Sequence, residues 1–182
     1  MEKTANPHDV LREMNKVRQI RQYRDQPVDE DALNAILEVA RWTGSSRNSQ
    51  PWHFIVVTDK AILKELSQFR DSINWLADAP AGIAIALNGG DPTQEAYDEG
   101  RVTERIMIAA HFLGLGSGVA WFLGDENESR AKRLLGVPDN YTLHSIIAIG
   151  HAISPKDPRP NANTSGRKPL SEIVSYNRMS GS

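Results

Sequence analysis

The sequence predicts a single compact domain in which helices cover both faces of a β-sheet. Three observations predict it. The 182 residues suit one domain, because length over about 150 comes to little more than one and a chain of this size buries roughly 70% of its unfolded surface. The run AGIAIAL at 81–87 is apolar at every position, as a central strand covered on both sides must be. Around it lie segments whose apolar residues recur at helical spacing.

The elements follow in order. Residues 8–18 read as a short helix. From 29 to 42 the signal is clearer: Asp29 can cap, Glu30 and Asp31 suit the helix dipole, and Leu33, Ile36, Leu37 and Ala40 form an apolar stripe ended by Thr43 and Gly44. The polar loop GSSRNSQ precedes the β-branched strand WHFIVVT, after which Asp59 caps a helix turning Ile62, Leu63, Leu66 and Phe69 inward. A long helix from 93 to 113 carries Val102, Ile106, Ala109 and Leu113 on one face, with Met107, Ile108, Ala110 and Phe112 leaving little polar surface elsewhere. Such a helix is predicted to be buried. Gly114 ends it, and VAWFL reads as a strand. Asp125 and Glu128 resemble a capping pair for a helix ending at Leu135 and Gly136, and SIIAIG is the last strong strand. The tail RKPLSEIVSYNR holds a short helix begun by Pro169 and is apolar enough to predict docking.

Composition excludes several functions. Lys plus Arg number 21 against 23 Asp plus Glu, a net charge of −2, so neither nucleic acid nor an anionic membrane is an expected partner. Cysteine is absent, which removes thiolate chemistry and fits a reducing, cytoplasmic setting. The start MEKTANPHDV lacks the apolar core of a signal peptide, and the longest apolar runs fall far short of the roughly 20 residues that span a bilayer. No GxGxxG after a strand, Walker A loop, GxSxG elbow or HExxH pair is present. The five histidines (His8, His53, His111, His144, His151) are scattered, so no metal site is expected. His111, set in an apolar helix, reads as a satisfied buried residue rather than a base.

Three polar clusters remain. In VRQIRQYRDQPV, Arg18, Arg21 and Arg24 offer fixed cations and bidentate donors suited to phosphate or an electron-rich heterocycle edge. In TGSSRNSQPW, Ser45, Ser46, Asn48 and Gln50 offer short donors and acceptors on a loop between helix and strand. In SGRKPLSEIV, Arg167 and Lys168 precede a helix start.

Taken together, VRQIRQYRDQPVDEDALNAILEVARWTGSSRNSQPWHFIVV resembles the opening of the nitroreductase family of flavoenzymes, whose usual pattern is R-S-x-R-x-F, P-V, an amphipathic helix, then P-S-S-x-N-x-Q-P-W before a strand. DAPAGIAIAL, YDEGRVTERIMIAAHFLGLGSGVAW, RLLGVPDNYTLHSIIAIG and GRKPLSEIV continue the likeness in family order, from about residue 15 to 178. The resemblance implies an α+β fold with a mixed, mostly antiparallel sheet flanked by helices, built as an intertwined homodimer with FMN in two interface sites. The whole of 1–182 would be one FMN-binding domain, with 154–182 wrapping or docking on the partner. Carried over by position, Arg18, Gln19 and Arg21 of one subunit would meet FMN, and Ser45, Ser46 and Asn48 of the other would approach the same flavin. The strand around Gly118, Val119, Ala120 and Trp121 would run under the ring and offer a backbone N–H, while Arg167 and Lys168 would complete the phosphate site. Because hydride chemistry belongs to the cofactor, no side chain is named as catalytic. The chain departs from the family's usual residues at Val17, Gln19, Gly44 and Arg105. It also leaves little room between the second strand and the central helix for the excursion that often covers the flavin. Trp75 and Trp121 are candidate walls for a flat substrate.

The resemblance implies an oxidoreductase that takes hydride from NAD(P)H and reduces nitroaromatics, quinones or similar flat acceptors by a ping-pong mechanism. The alternative is a flavin carrier or sensor without steady NAD(P)H turnover, which the same phosphate contacts would serve.

Overall fold

The computed structural model describes residues 6–88, 90–154 and 167–179. Among them β1 (Trp52–Val57), β2 (Ala81–Leu87), β3 (Gly116–Trp121) and β4 (Ser145–Gly150) pair antiparallel in the order β1-β2-β4-β3. The central pair owes its place to composition: every residue of AGIAIAL and SIIAIG is buried, and backbone groups shut off from water need partners on both sides. Alternation then sorts side chains between two layers. Ile83, Ile85, Ile147 and Ile149 pack to one side, and Ala84, Ala86, Ile146 and Ala148 to the other.

Helices α2 (Glu30–Arg41) and α4 (Pro92–Phe112) cover the isoleucine side, where Leu33, Ile36 and Ala40 share a core with Val102, Ile106 and Ala110. Helices α3 (Lys60–Ser67) and α5 (Asp125–Leu135), with the 3₁₀ segment Asp71–Asp78, cover the alanine side. Small residues there permit close approach: a Cβ at Gly82 would sit 2.6 Å from Ile146 Cδ1. The short α1 (Pro7–Met14) and α6 (Leu170–Ile173) lie near the two ends of the chain. The α+β architecture and the sheet flanked by helices agree with expectation. All four strands pair antiparallel, and the parallel component is one isolated bridge, Gln19 with Ser117.

Several local expectations are corrected. Asp125 and Glu128 do not cap α5: Gly124 holds the cap position at φ 90°, and Glu128 accepts the Leu143 N–H at 2.9 Å. A glutamate aimed at a neighbouring strand entrance outweighs a local box. Asp29 occupies the cap position of α2 without a side-chain bond, whereas Asp59 does accept the Ala61 N–H. The third strand begins at Gly116 and stops at Trp121; Leu123 falls in the left-handed region, φ 48°. In α4 the apolar end is not wholly buried, since Phe112 and Leu113 are about half exposed, while Glu95, Asp98 and Glu99 in the polar half are buried. Every described residue of the tail, 167–179, is exposed. Residues 155–166 and 180–182 of the expected docking segment lie outside the described residues. Only residues 88–91 separate β2 from α4, which matches the expected lack of a covering excursion. None of the described helices is long and apolar enough to cross a membrane.

Candidate functional site

The edge of the sheet at β3 organises the site. An extended segment, 18–23, crosses β3: the Ile20 N–H donates to Ser117 O at 2.7 Å, and the buried Tyr23 hydroxyl donates to Ile20 O at 2.6 Å. This crossing is why Gly118 is glycine, since a Cβ there would lie 2.2 Å from Ile20 O. Gly118 is therefore buried beneath 18–23, and Ala120 is fully buried in the core, so neither offers a ligand surface on that face. Val119 and Trp121 are more open. The Val119 N–H donates to the Gln19 side-chain oxygen at 2.7 Å, and Trp121, 49% exposed, stacks on the His144 ring.

Beside this edge lies a cleft of about 340 Å³ lined by Lys16, Arg18, Ile20, Met107, His111 and Ser117 among others. Its floor is apolar and its rim is basic, a pairing suited to a flat ligand with an anionic group. Glu13 tempers the rim by accepting from Lys16 at 2.6 Å and standing 3.3 Å from His111 Nε2. Those two hydrogen bonds hold the Glu13 carboxyl below its ordinary range, Lys16 first. Arg21 turns elsewhere, its guanidinium 5.7 Å from the Trp75 ring centroid. Arg167 and Lys168 are exposed and do not line the cleft.

The Ser45 loop sits at the other end of α4. Ser45 and Ser46 share a second cleft, about 310 Å³, with Gln94, Tyr97, Asp98 and Arg101. Arg47, Asn48 and Gln50 all have left-handed φ, at 52°, 57° and 49°, a concentration of strain that non-glycine residues seldom accept. Ser45 Oγ helps hold the turn by accepting the Gln50 N–H at 2.8 Å. The departure at Arg105 finds a reason here: Arg105 donates to Trp42 O at 2.7 Å, satisfying a carbonyl at the end of α2. At Gly44 a Cβ would meet only the flexible end of the Arg101 side chain, at 2.8 Å. Along α4, Gln94 and Met107 are about 20 Å apart at about 1.5 Å per residue. The structure therefore groups Arg18, Gln19 and Val119, and within one protomer keeps Ser45 and Ser46 well away from them.

Sequence reasoning missed Lys16, which stands two residues before Arg18, and His111 as residues lining the cleft. It also missed an acidic network behind Trp121. Buried Glu99 accepts from the Ser145 hydroxyl at 2.6 Å and pairs with His144 Nδ1 at 3.0 Å, while His144 Nε2 lies 3.9 Å from Glu128. Glu95 accepts from Thr142 at 3.0 Å. The Glu99 hydrogen bond raises the His144 pKa, reinforced by the charges of Glu128 and Glu95 and opposed by burial. A raised folded pKa gives stability that is fully present below the unfolded value, about 6.5, and is lost as pH climbs through the folded value. The urea midpoint of the wild type should thus fall from pH 6 to pH 8 by more than that of His144→Gln, and equal slopes would remove His144 from the account.

The sequence profile described as the Nitroreductase family matches residues 16–83. A protein of Archaeoglobus fulgidus, whose name couples NADH dehydrogenase with NAD(P)H nitroreductase, is 35% identical over 150 residues, covering 77% of this chain and 83% of its own. The FMN reductase [NAD(P)H] of Bacillus subtilis is 33% identical over 175 residues, covering 84% of this chain and 70% of its own. Among solved structures, an FMN-dependent nitroreductase from Clostridium difficile superposes with a TM-score of 0.78 at 29% identity, over 92% of this chain and 98% of its own. A Desulfovibrio desulfuricans protein solved in complex with FMN gives 0.76 at 27% identity, over 97% and 100%.

Proposed function

The chain belongs to the nitroreductase family, and from that premise we propose that it is an FMN-dependent oxidoreductase drawing on NAD(P)H. The observation that carries this reading is the basic-rimmed, apolar-floored cleft at the β3 edge. The residues present fit FMN. Arg18 and Lys16 supply charge for a phosphate, and Ile20, Met107 and Leu115 supply an apolar bed; Val119, two residues along β3 from Ser117 of the cleft wall, would supply a backbone donor whose present acceptor is a movable side chain. FMN, when bound, supplies the two-electron chemistry, taking hydride from NAD(P)H and passing electrons to a nitroaromatic, quinone or similar flat acceptor.

The protein's part is placement. Segment 18–23 and β3 close one side of the site, so donor and acceptor would use the same open side in turn, the geometry of ping-pong kinetics. Arg21, whose guanidinium stands 5.7 Å from the Trp75 ring and outside the lining of the Arg18 cleft, would have to swing from Trp75 to bring its charge to a heterocycle edge. Ser45, Ser46 and Asn48 would reach the flavin from a second subunit, and Arg167 and Lys168 would close on the phosphate once the exposed tail docks on that subunit. Trp121 offers a half-exposed ring to a flat acceptor.

Absorbance of the purified protein, followed by anaerobic addition of NADPH and NADH, tests the reading: a flavin band that bleaches supports it. A band that never bleaches would leave a flavin carrier. Phosphate recognition has its own test. Losing one charge-assisted contact costs about 1.5 to 3 kcal/mol, so Arg18→Ala should weaken FMN roughly 10- to 150-fold and leave riboflavin affinity nearly unchanged. Equal wild-type affinities for FMN and riboflavin, measured by fluorescence quenching, would refute the phosphate role.

A further inference from the structure

We propose that the Gln19 carboxamide is a replaceable rung, holding the Val119 N–H in the ligand-free protein and yielding it to a carbonyl or ring-nitrogen acceptor of a flat heterocyclic ligand. The proposal rests on the flavin reading for the identity of that ligand. Its geometry comes from the ladder along β3. Gln19 bridges Ser117 in parallel fashion, and the Ile20 N–H donates to Ser117 O at 2.7 Å. A continued parallel ladder would send the next donor, Val119 N–H, to Ile20 O. That oxygen is engaged otherwise: it lies over Gly118 and accepts the Tyr23 hydroxyl at 2.6 Å. The main chain has lifted away, and the Gln19 side-chain oxygen reaches Val119 N at 2.7 Å in its stead.

A main-chain rung could leave only if segment 18–23 moved with its buried anchors Ile20 and Tyr23. A side-chain rung leaves by rotating a few χ angles. Gln19, in the crossing segment, and Val119, on the edge strand, are both only half-buried, so the released carboxamide can be hydrated and the vacated N–H can be reached. Wherever the Gln19 oxygen now stands, a ligand acceptor must stand to use the same donor, because an N–H···O bond tolerates little change in length or angle. Where the resembled family usually has serine, glutamine adds two bonds of reach.

Residue-resolved amide hydrogen exchange on the full chain tests this, with FMN as the probe and wild type, Gln19→Leu and Gln19→Glu as the proteins. Val119 should be protected in the wild type with and without FMN. In ligand-free Gln19→Leu it should exchange about fivefold faster, the size of one net hydrogen bond, and FMN should restore protection. Gln19→Glu keeps an acceptor and should behave as wild type. The Ile20 amide, bonded to Ser117 O, is the internal control for an intact crossing. Because no carboxamide need be displaced, Gln19→Leu should bind FMN about fivefold more tightly. An unprotected Val119 in the ligand-free wild type, a Val119 that stays fast in FMN-loaded Gln19→Leu, or weaker FMN binding by that variant each overturns the proposal. If leucine also loosens Ile20, the wild type decides alone: the Gln19 carboxamide NMR signals should shift on adding FMN, and unmoved signals overturn it. A wild type that takes up no FMN overturns the flavin reading and the replacement step with it, while the ligand-free exchange pattern still decides whether Gln19 holds the amide.

Discussion

Arg18→Ala and Asn48→Ala, assayed at an FMN concentration too low to load either variant alone, should recover activity when unfolded together and reassociated. The expectation follows from the roughly 20 Å of α4 that separates the Arg18 cleft from the Ser45 loop within one protomer. A site using both groups must draw them from two copies of the chain. In a two-fold dimer built this way, a mixed pair holds one site with both defects and one with neither. Random assortment makes half the dimers mixed, so roughly a quarter of wild-type activity should return. Sites built within one chain would keep one defect each and recover nothing. Native mass spectrometry confirms that mixed dimers formed, and no recovery in their presence would refute the trans arrangement.

The second large effect is expected at a glycine. Gly118→Ala places a methyl 2.2 Å from the backbone oxygen of Ile20 and 3.1 to 3.2 Å from Trp75 and Tyr23. Backbone cannot rotate aside as a side chain can, so segment 18–23 must shift. That should cost about 3 kcal/mol, at the upper end for overpacking. Since the segment carries Arg18, Gln19 and Arg21, FMN affinity should fall at least as far as for Arg18→Ala. Gly100→Ala is the matched control. Gly100 is exposed inside α4 with nothing within 4 Å of an added Cβ, and alanine should stabilise it by about 0.5 to 1 kcal/mol. Urea denaturation of both variants decides: like-signed shifts would contradict the crossing as the reason for Gly118.

The contrast between these glycines also shows what the sequence could reveal. Strands with uniform composition were legible: AGIAIAL and SIIAIG sit centrally with every residue buried, because an apolar run with no polar face has nowhere else to go. Amphipathic α2 was legible for the same reason. The start of β3 was not, since Gly116 and Gly118 have low strand propensity and owe their place to a segment almost a hundred residues earlier in the chain. Buried Glu95 and Glu99 were equally hidden, because their partners Thr142, His144 and Ser145 lie more than forty residues downstream. Of the candidate site, the residue types in each cluster were legible, but not the grouping of Arg18 with Lys16 and His111, nor the turn of Arg21 toward Trp75. Local pattern reports which face is apolar, whereas these facts are set by which distant side chain completes a hydrogen bond.

Helix α4 has one more consequence. Met107 and His111 line the Arg18 cleft, Gln94, Asp98 and Arg101 line the Ser45 cleft, and Arg105 fastens the helix to the end of α2 that leads into the Ser45 loop. In a dimer whose sites are shared between copies, each α4 would touch both sites at once. A rigid rod with a binding site at each end makes occupancy cooperative wherever a ligand shifts it, and the coupling is reciprocal, since each site must alter the other's affinity by the same factor. Flavin titrations of such a dimer would then follow two stepwise constants rather than one, with their ratio measuring how stiffly α4 joins its ends.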